Sequence, residues 1–266
     1  PVGPREGEAK AVEARVNFRE LGWTEQDWSM GAWWRHVGAG YSVSRYDTGQ
    51  AVEEQGVELL GHFTNTFGMY ARYTEAQRGT EAIDQAQLTT EWRIQDNSTL
   101  TTELRRVDER RTSGDPTGTL GAVRYSQRIG TAVDLYGTAQ FTLDDDGGAY
   151  DDNDAYTVGG KYLFEGLSNV GAELTHGDRG DAAQVSTEYQ LTPEHTVYGG
   201  YTYSTDGTDY DPLFNPRQQS GWTLGQRWRL SNQLNVFNES QQLKSNGESG
   251  LAHTFGMEFF PSVGWN

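Results

Sequence analysis

Apolar and polar side chains alternate with a period of two along most of this chain of 266 residues. The segment WRIQDNSTLTTELRR (92–106) keeps that period on both sides of the polar break DNS (96–98). Because successive side chains of a β-strand point to opposite faces, the pattern predicts two antiparallel strands joined by a tight turn.

The same hairpin pattern recurs along the chain. It is found in LLGHFTNTFGMYARY (59–73), RIGTAVDLYGTAQF (128–141), QLTPEHTVYGGYTY (190–203) and RLSNQLNVFNESQQ (229–242). Copies lie roughly 30 to 40 residues apart, the length of a hairpin plus its outer connection. We predict strands at 9–20, 28–46, 53–62, 66–75, 84–95, 98–109, 118–129, 132–143, 155–164, 168–177, 182–191, 195–205, 219–230, 233–243 and 250–260, with a sixteenth beginning near Val263. Most are close to the ~9–11 residues that a tilted strand needs to cross a bilayer.

Connections of a second kind separate these hairpins. They are polar, rich in Asp and Gly, and occupy 73–85, 108–118, 143–156, 176–183, 204–219 and 244–250. Short turns on one rim and longer acidic connections on the other predict an up-and-down antiparallel sheet whose two rims face different surroundings.

The two faces of the predicted strands differ in polarity. One face carries mainly aliphatic and aromatic side chains, and the other carries charges of both signs. The charged residues that we predict to line a lumen are Arg72, Glu91, Arg93, Glu103, Arg105, Glu173, Glu188, Arg227, Arg229 and Glu258.

The number of strands decides which face points inward. A barrel of ~8 strands is just wide enough to be filled by side chains, so about 15 strands enclose a lumen too wide for an apolar filling. The apolar face is therefore expected to point outward into lipid, and the charged face inward into water. Aromatic residues near strand ends are expected to form an interfacial girdle, at Tyr73, Trp92, Phe141, Phe164, Tyr189, Trp222, Trp228 and Phe259.

Strand length, alternating connections, girdle positions and acidic loops together make the chain resemble a porin-like outer-membrane β-barrel of Gram-negative bacteria. The resemblance covers nearly the whole chain and implies an all-β, transmembrane up-and-down antiparallel β-barrel of about 16 strands, with short periplasmic turns and longer acidic extracellular loops. It also implies location in the bacterial outer membrane, contact with outer-membrane lipid and lipopolysaccharide, and assembly as a homo-oligomer or within a larger surface complex.

A soluble β-sandwich, a propeller or a repeat array is the competing interpretation. Such proteins use shorter strands and place polar residues outward, which fits this sequence less well. Within the barrel interpretation, 1–8 is expected to be a linker or junction and 9–266 the barrel domain. The ending FFPSVGWN, which turns at Pro261, suggests that this domain is incomplete at one or both ends.

Composition narrows the function classes. The chain has no cysteine, which excludes disulfides, thiolate metal sites and cysteine nucleophiles. Its 38 acidic and 21 basic residues give a net charge of −17, which argues against nucleic acid as a partner. No apolar run reaches the ~18 residues of a membrane helix. The start PVGPREGEAK lacks the apolar stretch of a signal peptide, so the chain is expected to be mature or part of a longer one.

The segment DDDGGAYDDNDAY (144–156) concentrates carboxylates beside glycines. It is either a solvated loop tip or a calcium loop, since calcium prefers hard oxygen ligands on a flexible backbone. Calcium would be bound by Asp144, Asp146, Asp151 or Asp154; no other cofactor is expected.

Catalysis is not expected. The five histidines show no metal-binding spacing, and nothing marks a nucleophile, although His176 or His253 beside a serine would be the place to look. The sequence instead predicts a porin-like channel for passive passage of small polar solutes, selected by the lumen charges. The alternative is a non-conducting membrane anchor or scaffold barrel of a larger cell-surface assembly, with a salt-bridged wall.

Overall fold

A computed structural model describes residues 7–43, 46–47, 50–150, 153–164, 166–206, 220–245 and 248–260. Every regular element in these ranges is a β-strand. None of the described residues forms a helix of the length and apolarity that a membrane crossing requires. The strands are β1 (Ala9–Asn17), β2 (Trp28–Val37), β3 (Ser42–Val43), β4 (Tyr46–Asp47), β5 (Val52–Thr64), β6 (Phe67–Arg78), β7 (Glu81–Gln95), β8 (Ser98–Arg110), β9 (Thr117–Ile129), β10 (Val133–Asp146), β11 (Ala155–Phe164), β12 (Ser168–Gly177), β13 (Gly180–Thr192), β14 (His195–Ser204), β15 (Ser220–Ser231), β16 (Leu234–Ser245) and β17 (Glu248–Phe259).

The strands fall into two compact units. The first unit covers Pro1–Tyr125 with Ala139–Asp154, and the second covers Ser126–Thr138 with Ala155–Asn266. In the first unit the hydrogen-bonded order is β1-β2-β5-β6-β7-β8, followed by the unit's parts of β9 and β10. In the second, the remaining parts of β9 and β10 precede β11 to β17 in chain order. The all-β, up-and-down antiparallel prediction is confirmed, and closure into a barrel stays a prediction.

Predicted and observed strands agree within a few residues, with two exceptions near the start of the chain. The first strand ends at Asn17 because its side-chain Oδ1 accepts the backbone N–H groups of Arg19 and Glu20, at 3.0 and 3.1 Å, and so turns the chain. The strand predicted at 28–46 ends at Val37. Three residues later Gly40 adopts a φ of 88°, which a regular strand does not contain.

Several connections that were predicted to be long are tight turns. β6 and β7 both extend past their predicted ends, so only Gly79 and Thr80 separate them. Gly79 takes a φ of 62°, and an ion pair of 2.8 Å between Arg78 and Glu81 closes the hairpin. The strands flanking 178–179 extend in the same way, and β16 and β17 extend to Ser245 and Glu248. The predicted alternation of short turns with long loops therefore holds only in part, because charged residues continue the strands beyond their apolar stretch.

The described residues lack an apolar core. Val107, 4% exposed, is their only buried hydrophobic residue, whereas Phe255 and Met257 are 78% and 70% exposed. Glycines and polar residues make up most of the buried positions, among them Ser168 and Asn169 at the start of β12. Burial is thus reversed relative to a soluble sheet, where one face packs apolar side chains on a core.

Two predictions fall at the chain ends. Residues 1–6 and 261–266 lie outside the described residues, and with them the sixteenth strand near Val263. The linker 1–8 and the single domain 9–266 stay predictions.

We expect Ser168→Ala to destabilise the fold by about 1–3 kcal/mol, the typical cost of a buried donor without a partner. Ser168 is fully buried, and its Oγ accepts the backbone N–H of Gln190 at 3.0 Å. Urea unfolding of the refolded protein in lipid vesicles, followed by tryptophan fluorescence, measures the change. Ser186→Ala is the matched control, since Ser186 is an exposed serine on the neighbouring strand β13. Equal unfolding midpoints for the two variants would contradict the assigned role of Ser168.

Candidate functional site

Strand register places the predicted lumen residues of the first unit on one face. Arg72 of β6 lies opposite Gln87 of β7, which lies opposite Arg105 of β8. Because side chains alternate along a strand, Glu91, Arg93 and Glu103 share this face. We call it the polar face; the opposite side is the apolar face.

One ionic network on the polar face is centred on Glu54 of β5. Its carboxylate accepts the indole N–H of Trp33 at 3.0 Å and lies 3.8 and 3.9 Å from the guanidinium groups of Arg72 and Arg35. The Arg72 guanidinium also lies 4.6 Å above the Trp33 ring, within the range of a cation–π interaction. Both arginines are thereby held against the sheet.

A second network is centred on Glu103 of β8. Its carboxylate accepts hydrogen bonds from Gln87 at 2.8 Å, Thr89 at 3.4 Å and Arg105 at 2.6 Å. Glu58 of β5 is similarly bound by Arg15 and, at 3.2 Å, by the Tyr70 hydroxyl. Glu54, Glu58 and Glu103 are therefore all paired.

The second unit repeats the arrangement. Glu173, Glu188, Arg227, Arg229 and Glu258 lie on one face of β12, β13, β15 and β17. Glu188 pairs with Arg227, and Glu258 accepts the Asn235 amide at 3.2 Å. Arg229 makes no ion pair within the described part of the chain, and the same holds for Arg93 of the first unit.

Aromatic side chains on the polar face each connect three neighbouring strands. Sequence reasoning missed this arrangement. The Tyr198 ring of β14 lies over Gly225 of β15, and its hydroxyl donates to Glu239 of β16 at 2.9 Å. The Tyr136 ring covers Gly159 in the same way, and its hydroxyl reaches Glu173.

Trp33 of β2 similarly covers Gly56 of β5 and meets Arg72 of β6. In each case glycine leaves room for the ring to lie flat. The usable signal in the sequence is a glycine at a polar-face position opposite an aromatic residue.

The predicted girdle residues lie on different parts of their strands. Trp92 lies near the end of β7 opposite Phe67, and Phe164 stacks on Tyr189 at 6.3 Å between ring centroids. Tyr73 lies near the middle of β6, where its hydroxyl donates to Glu75 at 2.9 Å. The other members lie near the ends of β15 (Trp222, Trp228), at the end of β17 (Phe259), and in β10 over Gly121 (Phe141). Their contact with lipid stays a prediction.

The acidic segment after β10 uses two of its carboxylates internally. Asp154 accepts the backbone N–H of Thr142 at 2.9 Å, and Asp145 accepts that of Tyr150 at 2.7 Å. Asp144 and Asp146 lie at the end of β10, and Asp151 lies outside the described residues. The part of the chain that the structure describes contains no group of three or more potential metal ligands. Calcium binding stays a prediction.

The histidines flagged by the sequence are in two different settings. His176 contacts Asp181 at 2.6 Å in an exposed hairpin turn. His253 contacts the hydroxyl of Ser240 at 2.8 Å, on the apolar face of β16 and β17. The structure describes no carboxylate hydrogen-bonded to the His253 ring, so the third group of a hydrolytic triad is not found among the described residues.

No family model and no curated protein matches the chain. Its fold was compared with solved structures. A mutant of the Rh. blastica porin matches with 11% identity and a TM-score of 0.45, covering 96% of this chain and 99% of that one. A triple mutant of Rhodopseudomonas blastica porin gives 11% and 0.43 with the same coverage, and a further mutant gives 10% and 0.46. A likeness this distant supports no functional conclusion by itself.

We expect Gly225→Ala to destabilise the protein by about 1–3 kcal/mol, the usual cost of overpacking a filled site. An added methyl group would collide with the Tyr198 ring and displace its hydroxyl from Glu239. The urea midpoint in lipid vesicles reports the loss. Gly250→Ala is the control because an added Cβ there meets no atom within 4 Å. If both variants unfold at the same urea concentration, the ring does not depend on Gly225.

Proposed function

We propose that this protein is an outer-membrane β-barrel that forms a water-filled channel for passive passage of small polar solutes. The observation that carries the proposal is the reversed burial of the two faces. Large apolar side chains are exposed on one face, while carboxylates and guanidinium groups are paired on the other.

The apolar face needs an apolar medium. Leu174, Phe255 and Met257 are 61%, 78% and 70% exposed, and each would gain about 1.5–3 kcal/mol from full burial. Lipid supplies such burial along the whole sheet without requiring a protein partner. The long strands of both units match the ~9–11 residues of a tilted crossing. The bacterial outer membrane is crossed by β-barrels, and its lipid and lipopolysaccharide would be the immediate partners of this face.

The polar face needs water. Ion pairs such as Glu188–Arg227 would lose much of their hydration in a dry interior, and their mutual attraction would barely compensate for it. A barrel of about 15 or 16 strands is too wide to be filled by side chains, so its lumen stays wet. Charges of both signs on its wall would act on polar solutes through their charge and dipole.

Conductance in a planar bilayer tests the channel. We expect steady openings from the refolded, full-length protein, together with the heat-sensitive gel mobility of a folded barrel. A protein that inserts and folds but never conducts would instead be an anchor for a larger surface assembly, alone or as a homo-oligomer. Failure to enter bilayers or detergent micelles would overturn the membrane assignment.

Ion selectivity tests which face lines the lumen. We expect Arg105→Gln to shift the reversal potential in a salt gradient toward cation preference, because a positive charge leaves the polar face. Arg106→Gln removes the same charge one residue later, where the side chain lies on the opposite face beside Asp108, at 3.2 Å. It should leave selectivity unchanged. Equal shifts from both variants would contradict an inward-facing Arg105.

Membrane stability tests the apolar face. We expect Val185→Arg to destabilise the folded protein by about 2–4 kcal/mol, the cost of an arginine at the bilayer midplane. Val185 lies near the middle of β13 and is 53% exposed on the apolar face. Ser186→Arg, one residue later on the polar face, should cost far less. The urea midpoints of the two variants in lipid vesicles decide between them, and the reverse order would place lipid on the polar face.

A further inference from the structure

Glu109, near the end of β8, is buried although it lies on the polar face with Glu103 and Arg105. Only 1% of its side chain is exposed. Its carboxylate accepts hydrogen bonds from Arg111 and from the hydroxyl of Tyr150. A carboxylate on a wet face becomes buried only if another segment of the chain covers it.

The segment after β10 provides that cover. Tyr150 places its ring over Gly118 at the start of β9, where an added Cβ would lie 2.7 Å from the Cγ of Tyr150. The backbone carbonyl of Tyr150 accepts the Thr142 hydroxyl at 2.6 Å, and its N–H donates to Asp145 at 2.7 Å. Tyr150 is thus held by its backbone on β10 and by its side chain on β8 and β9, all within the first unit.

Two glycines allow the chain to turn back after β10. Gly147 and Gly148 have φ values of 98° and 71°, which other residues adopt only with strain. Gly147 also lies against Pro116, with 3.1 Å between an added Cβ and the proline ring. The acidic run therefore contains a structured fold-back toward the polar face.

We propose that residues 145–150 form a latch that narrows the channel, with Tyr150 docked on Glu109 as its closing contact. This rests on the proposed channel function. With the latch docked, the Tyr150 ring occupies part of the polar face beside Glu109, near the end of β8. Breaking the contact leaves Glu109 short of one donor in a site that excludes water, and that favours release of the whole segment.

A double-cysteine variant tests the latch directly. The chain has no native cysteine, so Gly118→Cys with Tyr150→Cys introduces a single pair. The sulfur introduced at position 150 would take the place of the Tyr150 Cγ, which lies 2.7 Å from an added Cβ at position 118. The two sulfurs are therefore within reach of a disulfide bond of about 2.05 Å. We expect the oxidised protein to keep the native conductance step. After reduction the tyrosine is absent and the latch is free, so the step should become at least about twofold larger as the open section widens.

A second variant, which lacks one oxygen atom of Tyr150, tests the same contact without a disulfide. Tyr150→Phe removes only the hydroxyl that binds Glu109, and we expect both a larger conductance step and faster cleavage by chymotrypsin after residue 150. Chymotrypsin cleaves after either aromatic residue, so the cleavage rate reports release and not recognition. Tyr156→Phe is the matched control, because Tyr156 is 65% exposed on the apolar face of β11.

The outcomes separate the latch from the channel. Faster cleavage with unchanged conductance would show a loop that opens without controlling flow, and would overturn the proposal. Unchanged cleavage, or no disulfide in the folded protein, would show that Tyr150 is not docked. If no variant conducts, including the reduced double cysteine, the channel itself fails, and cleavage still reports whether the docked loop exists.

Discussion

Antiparallel register between neighbouring strands decides which side chains of this protein share a face. A slip by one residue would move every side chain of a strand to the other face, and here that would exchange charges for apolar groups. Along β7 and β8 the pairs Gln87–Arg105 and Leu88–Leu104 follow each other, one on each face. Register is therefore fixed twice, by polar contacts such as the Gln87–Glu103 hydrogen bond of 2.8 Å on one face and by apolar residues on the other. Both the exposure of the apolar face and the ionic networks of the polar face depend on this register.

The polar face adds a second constraint that acts across three strands. A tyrosine on one strand crosses a glycine on the next and reaches a carboxylate on the strand after that, as in Tyr198, Gly225 and Glu239. Backbone hydrogen bonds join only adjacent strands, whereas this contact connects β14 to β16, its second neighbour. In a sheet without an apolar core, such contacts replace the packing that would normally hold strands at a fixed twist. They also set the positions of the charges that a solute would meet.

The alternation of apolar and polar residues was sufficient to predict the strands, because among regular structures only a β-strand places every second side chain on the same face. It failed where polar residues continue a strand, as at Gln77 and Arg78, since polarity there indicates water and not the end of the strand. It grouped charged residues that share a strand face, whose lining of a lumen stays a prediction, but missed their partners Trp33, Tyr136 and Tyr198. An aromatic residue on a charged face breaks the alternating pattern, and only the structure shows that it lies over a glycine of the neighbouring strand. The fold-back of Tyr150 onto Glu109 was missed because its partners are 41 residues apart in sequence.

A row of carboxylates on the apolar face of the first unit limits how much of that face lipid could cover in the proposed barrel. Glu75 lies opposite Asp84, and Asp84 lies opposite Asp108, on three successive strands. Like charges directly opposite each other destabilise a sheet, and inside lipid the cost would be prohibitive. In water the high dielectric constant reduces the repulsion to about 1 kcal/mol for a pair about 4 Å apart, and Arg106 compensates Asp108 at 3.2 Å. For the proposed outer-membrane barrel this predicts an aqueous boundary between that row and Leu88, four residues further along β7.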